Sequence, residues 1–325
     1  MSTQPNPHGA VPASSVGWKN HNDAPLNDDA VFIGDPGASI GDVLSATTEL
    51  KQNGSMVGGT GKLVGRILGA LFFGACGAGA GYGVAIGVFR VLRGHGEVPE
   101  MLLYAGAGIL GVLAFAASML LIQPGPTTTY VGSEGLLRIK RKGRDANMDH
   151  VRFEDVTGLT THQVRNYTNG VYTGTNYTFT FHRRQGGKPF VINGAFQTKE
   201  GTQAPAHNFV HFAWAAERAY TLFRLHGMDQ QLAQQGMLHF DAGGGNRISL
   251  GTNVMELTFK GQTERLQKSD IASLNLNAGM LTIERVGATK GMFSKSGVFT
   301  FNVGQMHDFR YFLIALEMLL GYRFN

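Results

Sequence analysis

Two uninterrupted apolar stretches, Ile67–Phe89 and Met101–Ile122, dominate the hydropathy pattern of this chain. Neither contains an acidic or basic side chain. A helix needs about 20 apolar residues to cross a bilayer, so each stretch is long enough to span one. Together they predict a transmembrane helical hairpin over residues 61–125, with its spans at about 67–89 and 101–122.

Apolar and polar residues alternate from Thr129 onward, which is the pattern of half-buried antiparallel strands. Tyr177–His182 and Met255–Lys260 are clear examples. Two stretches with apolar residues at helical spacing interrupt the strands, at Phe209–Phe223 and Met306–Leu320. Amphipathic helices of this kind cover one face of a small sheet.

The order strands, helix, strands, helix indicates an internal duplication, and Phe190–Asn193 takes the same place as Phe299–Asn302. The chain resembles tandem pleckstrin-homology-like (PH-like) domains, at residues 129–235 and 236–325. It is also similar to uncharacterised bacterial membrane proteins in which such domains follow a transmembrane hairpin. The resemblance implies a membrane-anchored α+β fold, with two antiparallel β domains each closed by a C-terminal helix, and binding without catalysis.

Residues 1–60 are rich in Gly, Pro, Ser, Asn and Asp and show no sustained periodicity. A segment of this composition buries too little apolar surface to offset its ordering entropy, so we expect a disordered N-terminal tail. The tail is acidic, whereas the rest of the chain carries 26 basic and 17 acidic residues. A basic body beside a bilayer favours anionic headgroups or an acidic partner, and a solvated basic surface explains the excess equally well.

Basic residues near the ends of the apolar stretches predict the orientation in the membrane. Counted over short flanks, they favour both termini on the cytoplasmic side, and we expect a bacterial inner membrane. Arg90 and Arg93, in the connecting loop, act against this orientation. Cys76 is the single cysteine, so no intramolecular disulfide can form and a reducing compartment fits.

Small residues recur every four positions in both apolar stretches, a GxxxG-type pattern. Such residues let helix backbones approach closely, and in lipid this packing drives association. The pattern predicts that the helices pack together and that a spare glycine face recruits a second copy. The ordinary abundance of glycine in membrane helices is the alternative. The residues are Gly79, Gly83, Gly87, Ala107, Gly111, Ala114 and Ser118.

Two basic segments are candidate contacts for anionic lipid or a protein partner. The first alternates with apolar residues, so we favour a charged, solvent-facing strand edge over lipid contact. The second is a loop whose apolar pair either enters the headgroup region between two lysines or folds back onto the core. The first segment comprises Arg138, Lys140, Arg141, Lys142 and Arg144, and the second comprises Lys290, Met292, Phe293 and Lys295.

His207 and His211 have the helical spacing that can bring two imidazoles to one metal. No third ligand is evident, so we expect surface histidines and no metal. No paired-carboxylate, Ser–His–Asp or Cys–His arrangement can be argued from spacing. We expect no catalytic residue, no cofactor and no nucleic-acid partner.

Our first hypothesis from the sequence is a non-enzymatic integral membrane protein. Its two cytoplasmic domains would bind an unknown protein partner or self-assemble. The alternative is a reader of anionic headgroups that uses the basic segments. An enzyme with an unrecognised site is the least favoured class.

Overall fold

The computed structural model describes residues 6–52, 59–93, 100–121, 125–142, 145–199, 202–290 and 295–324. Within these ranges it contains sixteen β-strands and five α-helices. The strands are β1 (Asn6–Pro12), β2 (Val31–Asp35), β3 (Val43–Thr48), β4 (Thr127–Gly132), β5 (Gly135–Lys142), β6 (Asp145–Arg152), β7 (Val156–Thr168), β8 (Val171–Arg183), β9 (Phe190–Phe196), β10 (Leu238–Asp241), β11 (Arg247–Gly251), β12 (Val254–Phe259), β13 (Gln262–Gln267), β14 (Ile271–Asn277), β15 (Met280–Lys290) and β16 (Lys295–Asn302). The helices are α1 (Gly59–Arg93), α2 (Glu100–Leu121), α3 (Val210–His226), α4 (Met228–Gln235) and α5 (Phe309–Leu320).

The described strands form five small antiparallel sheets. After the β1–β2 pair, the chain forms a four-stranded sheet in the order β3-β4-β5-β6 and a three-stranded sheet in the order β7-β8-β9, and then α3. The order repeats with β10-β11-β12-β13, β14-β15-β16 and α5. The alternation in β8 does bury one face of that strand, because Tyr177, Phe179 and Phe181 are all buried.

The prediction of a two-helix transmembrane hairpin followed by two tandem PH-like domains is wrong. Among the described residues one helical segment, Ala70–Val88 in α1, is long and apolar enough to cross a membrane, and the apolar stretch of α2, Leu103–Ala117, is shorter. The β-rich part is five small sheets. The helices do not precede that part either. They are inserted between β3 and β4, which pair with each other.

Residues 1–60 are not a disordered tail over their described part. They contain β1, β2 and β3, and Phe32, Ile40 and Ala46 are fully buried. These side chains pack in one core with Tyr130 and Leu137 of β4 and β5. The composition argument failed because this segment does not have to bury its apolar side chains against itself. It completes a core that the strands after the helices supply.

Asp308 joins the start of α5 to β7 and α3. It directly precedes α5, and its Oδ1 accepts a hydrogen bond of 2.7 Å from the backbone N–H of Leu159 in β7. Its carboxylate also pairs with Arg224 of α3, in a site where the Asp308 side chain is 5% exposed. The Arg224 guanidinium donates to the Tyr220 hydroxyl at 3.0 Å and lies 5.0 Å from the ring centroid of Tyr311. This largely buried ion pair attaches the start of α5 to α3.

We predict that Asp308→Asn destabilises the protein by about 3–5 kcal/mol, because the substitution leaves the Arg224 guanidinium buried without its anion. The measurement is chemical denaturation of the full chain in detergent. Glu154→Gln is the control, because Glu154 pairs with Arg152 at 3.1 Å on the surface and such pairs contribute little. Equal stability of the two variants would contradict the proposed role of Asp308.

Candidate functional site

A cavity of about 470 Å³ lies between the N-terminal segment and the start of α3. Its walls include Thr47 and Thr48 at the end of β3 and Thr127 at the start of β4. The chain enters α1 after β3 and returns from α2 into β4. The cavity therefore opens at the edge of the sheet from which the two long helices leave.

His21 is the most perturbed group of this cavity. It is 3% exposed, and its Nδ1 and Nε2 atoms form hydrogen bonds with the hydroxyls of Ser45 at 2.8 Å and Thr129 at 2.9 Å. Its ring lies 5.1 Å from that of Phe212 in α3. Burial lowers the pKa of His21 to about 3, with the charge of His211 as a second cause. His21 is thus a neutral, buried link between the N-terminal segment, the sheet and α3.

The contact between Ser45 and His21 has the distance of a nucleophile and its base, but it lacks the other features of such a pair. An imidazole whose pKa is about 3 is a poor base at neutral pH. The second ring nitrogen meets the Thr129 hydroxyl, whereas a catalytic histidine is usually oriented by a carboxylate. Both Ser45 and His21 are also buried. The pair holds the fold together locally.

The two histidines singled out by their spacing, His207 and His211, also line this cavity. The Nε2 atom of His211 donates to the carbonyl of Pro205 at 3.0 Å. No group of three or more potential metal ligands occurs among the residues that the structure describes. Apart from three histidines, Glu49 is the one acidic or basic residue among the described residues of the lining, and its Oε2 accepts from the Thr127 N–H at 2.9 Å. The remaining wall suits hydrogen bonds to an uncharged group.

Arg138 makes its contacts within the protein. Its guanidinium pairs with Asp149 at 2.6 Å, donates to the carbonyl of Val191 at 3.0 Å and lies 5.0 Å from the ring centroid of Phe190. These contacts connect β5 and β6 to β9. Arg138 is therefore a packing residue, whereas the strand-edge interpretation placed it facing solvent.

Lys140 and Arg141 lie at the edge from which the helices leave. Lys140 pairs with Thr127 in the register of β4 and β5, and the Arg141 N–H donates to the carbonyl of Pro126 at 3.1 Å. Both basic residues are exposed. They therefore lie next to the point where the chain returns from α2.

The other predicted contact residues are only partly within the described chain. Arg144, Met292 and Phe293 lie outside the described residues. Lys290 and Lys295 pair with each other at the end of β15 and β16. The backbone of Lys142 forms the end of β5.

The two long helices pack through a different glycine row from the one singled out in the sequence. Cβ atoms added at Gly77 and Gly81 would collide with Ala114 and with the backbone of Gly106. By contrast, added Cβ atoms would meet open space at Gly79, Gly83 and Gly87. On α2, the predicted residues Ala107, Gly111 and Ala114 do contact α1, and Ser118 lies near its end.

Sequence reasoning missed the cavity because it treated residues 1–60 as disordered. The apolar pair Phe32-Ile33 and the nearby Trp18 were the available signals of a folded segment. In the structure, the Trp18 ring packs edge-on against those of Phe32, at 5.3 Å, and Tyr130, at 5.6 Å. His21 follows in the same buried region.

No protein-family model matches the chain, and no curated protein matches it either. The resemblance to PH-like membrane proteins gains no support from these comparisons. Any function must therefore be argued from the geometry above.

We predict that His21 makes the protein less stable in acid. In the unfolded chain His21 binds a proton below its ordinary pKa of 6.5, whereas in the folded chain it stays neutral until about pH 3. The free energy of unfolding therefore falls as the pH drops from 6.5 towards 3. The loss is up to about 1.4 kcal/mol per pH unit. Denaturant unfolding of His21→Gln should show a shallower decline, whereas the exposed-site control His226→Gln should follow the wild type. Parallel pH profiles for wild type and His21→Gln would contradict this.

Proposed function

We propose that the protein is a membrane-anchored, non-enzymatic binding protein whose β-rich body contacts the anionic headgroups of the membrane that holds it. The anchor is α1. Only 6% of its segment Ala70–Val88 is buried, whereas the core helix of a water-soluble protein would be mostly buried. Phe72, Phe73 and Val84 are at least half exposed. A contiguous apolar surface of this kind marks a membrane or protein contact.

The observation that carries the headgroup contact is the position of Lys140 and Arg141. Strand pairing with Thr127 and the hydrogen bond to Pro126 place these exposed residues where the chain returns from α2. Each basic residue near an anionic surface contributes about 1 kcal/mol. Two acidic groups near this edge have partners within the protein. Asp29 pairs with Lys51 at 2.8 Å, and Glu49 accepts a hydrogen bond from the Thr127 N–H.

The same proposal includes the orientation. The flanking basic residues support a body on the cytoplasmic side of a bacterial inner membrane. The chain enters α1 from β3 and re-enters the same sheet at β4. The body therefore stays attached to the membrane surface at one edge.

Binding of a protein partner or of a second copy is the second candidate. The row Gly79, Gly83 and Gly87 supports it, because added Cβ atoms there would meet no neighbouring atom and the row is a smooth, open helix face. Such faces permit close helix packing in lipid.

We predict that the full chain melts at a higher temperature in nanodiscs that contain phosphatidylglycerol than in nanodiscs of phosphatidylcholine alone. Ligands that bind the folded state stabilise it. At about 1 kcal/mol for each of two basic residues and about 2–4 °C per kcal/mol, the double variant Lys140→Glu/Arg141→Glu should lose about 4–8 °C of that difference.

The matched control is Arg184→Glu/Lys188→Glu, which reverses two exposed charges on the connection between β8 and β9. It should keep the full difference. If the Lys140/Arg141 variant keeps it too, the headgroup contact is wrong. If the wild type shows no difference between the two lipids, the protein-partner candidate takes its place.

A further inference from the structure

We propose that the tip of the β7–β8 hairpin enters the interfacial region of the same membrane, as a second contact beside α1; this rests on the anchoring proposed above. Strand β9 pairs with β8 only from Thr175 to Phe181. The pairing of β7 with β8 continues past it as far as Thr168 and Val171. Residues 166–174 therefore form a two-stranded ribbon that projects beyond its sheet, and Val164 and Arg165 lie at its base.

The ribbon and its base expose two valines and a tyrosine to solvent. Val164, Tyr167 and Val171 are 40%, 49% and 66% exposed. The rings of Tyr167 and Tyr172 pack edge to face at 5.9 Å. Arg165 is the one charged residue of the segment, which contains no carboxylate. Tyrosines are enriched where a membrane meets water, and a basic side chain among them suits anionic headgroups.

Helix α3 shows on which side of the body the long helices leave. Near its start, Phe212 packs against His21, which is hydrogen-bonded to Thr129 near the start of β4. Near its end, Phe223 lines a shared cleft with Glu134, which follows β4. Strand β4 therefore starts beside the N-terminal half of α3. The chain returns from α2 on that side.

Strand β8 reaches the same side. Phe181 packs at 5.8 Å against Tyr220, in the C-terminal half of α3. Four residues earlier, the Tyr177 hydroxyl donates to Oδ1 of Asn208, which precedes α3, at 3.4 Å. Towards lower residue numbers, β8 thus runs to the N-terminal end of α3, and the ribbon continues beyond it. The ribbon and the long helices leave the body on one side.

The ribbon extends well beyond the contact of Tyr177 with Asn208. Val171 lies six residues beyond Tyr177, which is about 20 Å at about 3.3 Å per residue of strand.

The test uses the full chain in vesicles of phosphatidylcholine and phosphatidylglycerol. Cys76→Ser removes the single native cysteine, and Val171→Cys accepts a bimane label at the ribbon tip. A lipid with a doxyl group high on its acyl chain quenches bimane only on contact. We expect the label at position 171 to lose most of its emission. The control, Asp155→Cys, carries the label at the other end of β7 and should keep its emission.

Alkaline carbonate washing of the same vesicles separates the possible failures. If the protein stays in the membrane pellet and the label at position 171 is unquenched, the ribbon contact is wrong and the anchoring stands. If washing releases the protein, both are wrong. Within the labelled protein, Tyr167→Asp should restore emission because a carboxylate is expelled from the interface, whereas Tyr167→Trp should preserve the quenching. Equal quenching in both Tyr167 variants would also overturn the ribbon contact.

Discussion

The pairing of β3 with β4 is the constraint on which the rest of the structure depends. Thr48 lies opposite Thr128, so the whole segment between them must leave the sheet and return at one point. That segment contains α1 and α2. Because of this pairing, the cavity at the start of α3, the exposed Lys140 and Arg141 and the root of the apolar helix share one edge. A two-strand hydrogen-bond ladder thus determines the side of the body from which the chain runs into α1 and to which it returns from α2.

Buried polar side chains secure this pairing from within. The hydroxyl of Thr128 forms hydrogen bonds with the Thr48 hydroxyl at 3.0 Å and the Ile33 N–H at 3.1 Å. His21 adds its bonds to Ser45 and Thr129. A polar group buried away from water costs free energy unless it is hydrogen-bonded. The N-terminal segment, β3 and β4 supply one another's hydrogen-bond partners, so each is stable only when the other two are in place. Asp308 and Arg224 secure the start of α5 to α3 in a similar way, and here the interacting groups are charged.

Local patterns predicted the elements of this fold better than their connections. The three-and-four spacing near the end of the chain is the buried face of α5, and the alternation in β8 is a half-buried strand. The apolar run in α1 was evident, but its insertion within a sheet was not, because periodicity reports local conformation and carries no information about partners 80 residues away along the chain. The glycine spacing has the same limit, because four-residue spacing occurs on several faces of α1 and only contact shows that Gly77 and Gly81 meet α2. The candidate site was not predicted because the neighbours of His21 come from three segments that are far apart in the sequence, at Ser45, Thr129 and Phe212.

Cys76 offers the most direct measurement of the central idea, that hydrocarbon surrounds α1. It is the single cysteine of the chain, lies within Ala70–Val88 and is exposed on the helix surface. Maleimides react with the thiolate, which needs water to form. In native membranes opened to both sides, a charged maleimide should leave Cys76 unlabelled and should label it fully once the membranes are dissolved in SDS. Labelling as fast in the intact membranes as in SDS would show α1 in water and would contradict the membrane anchor.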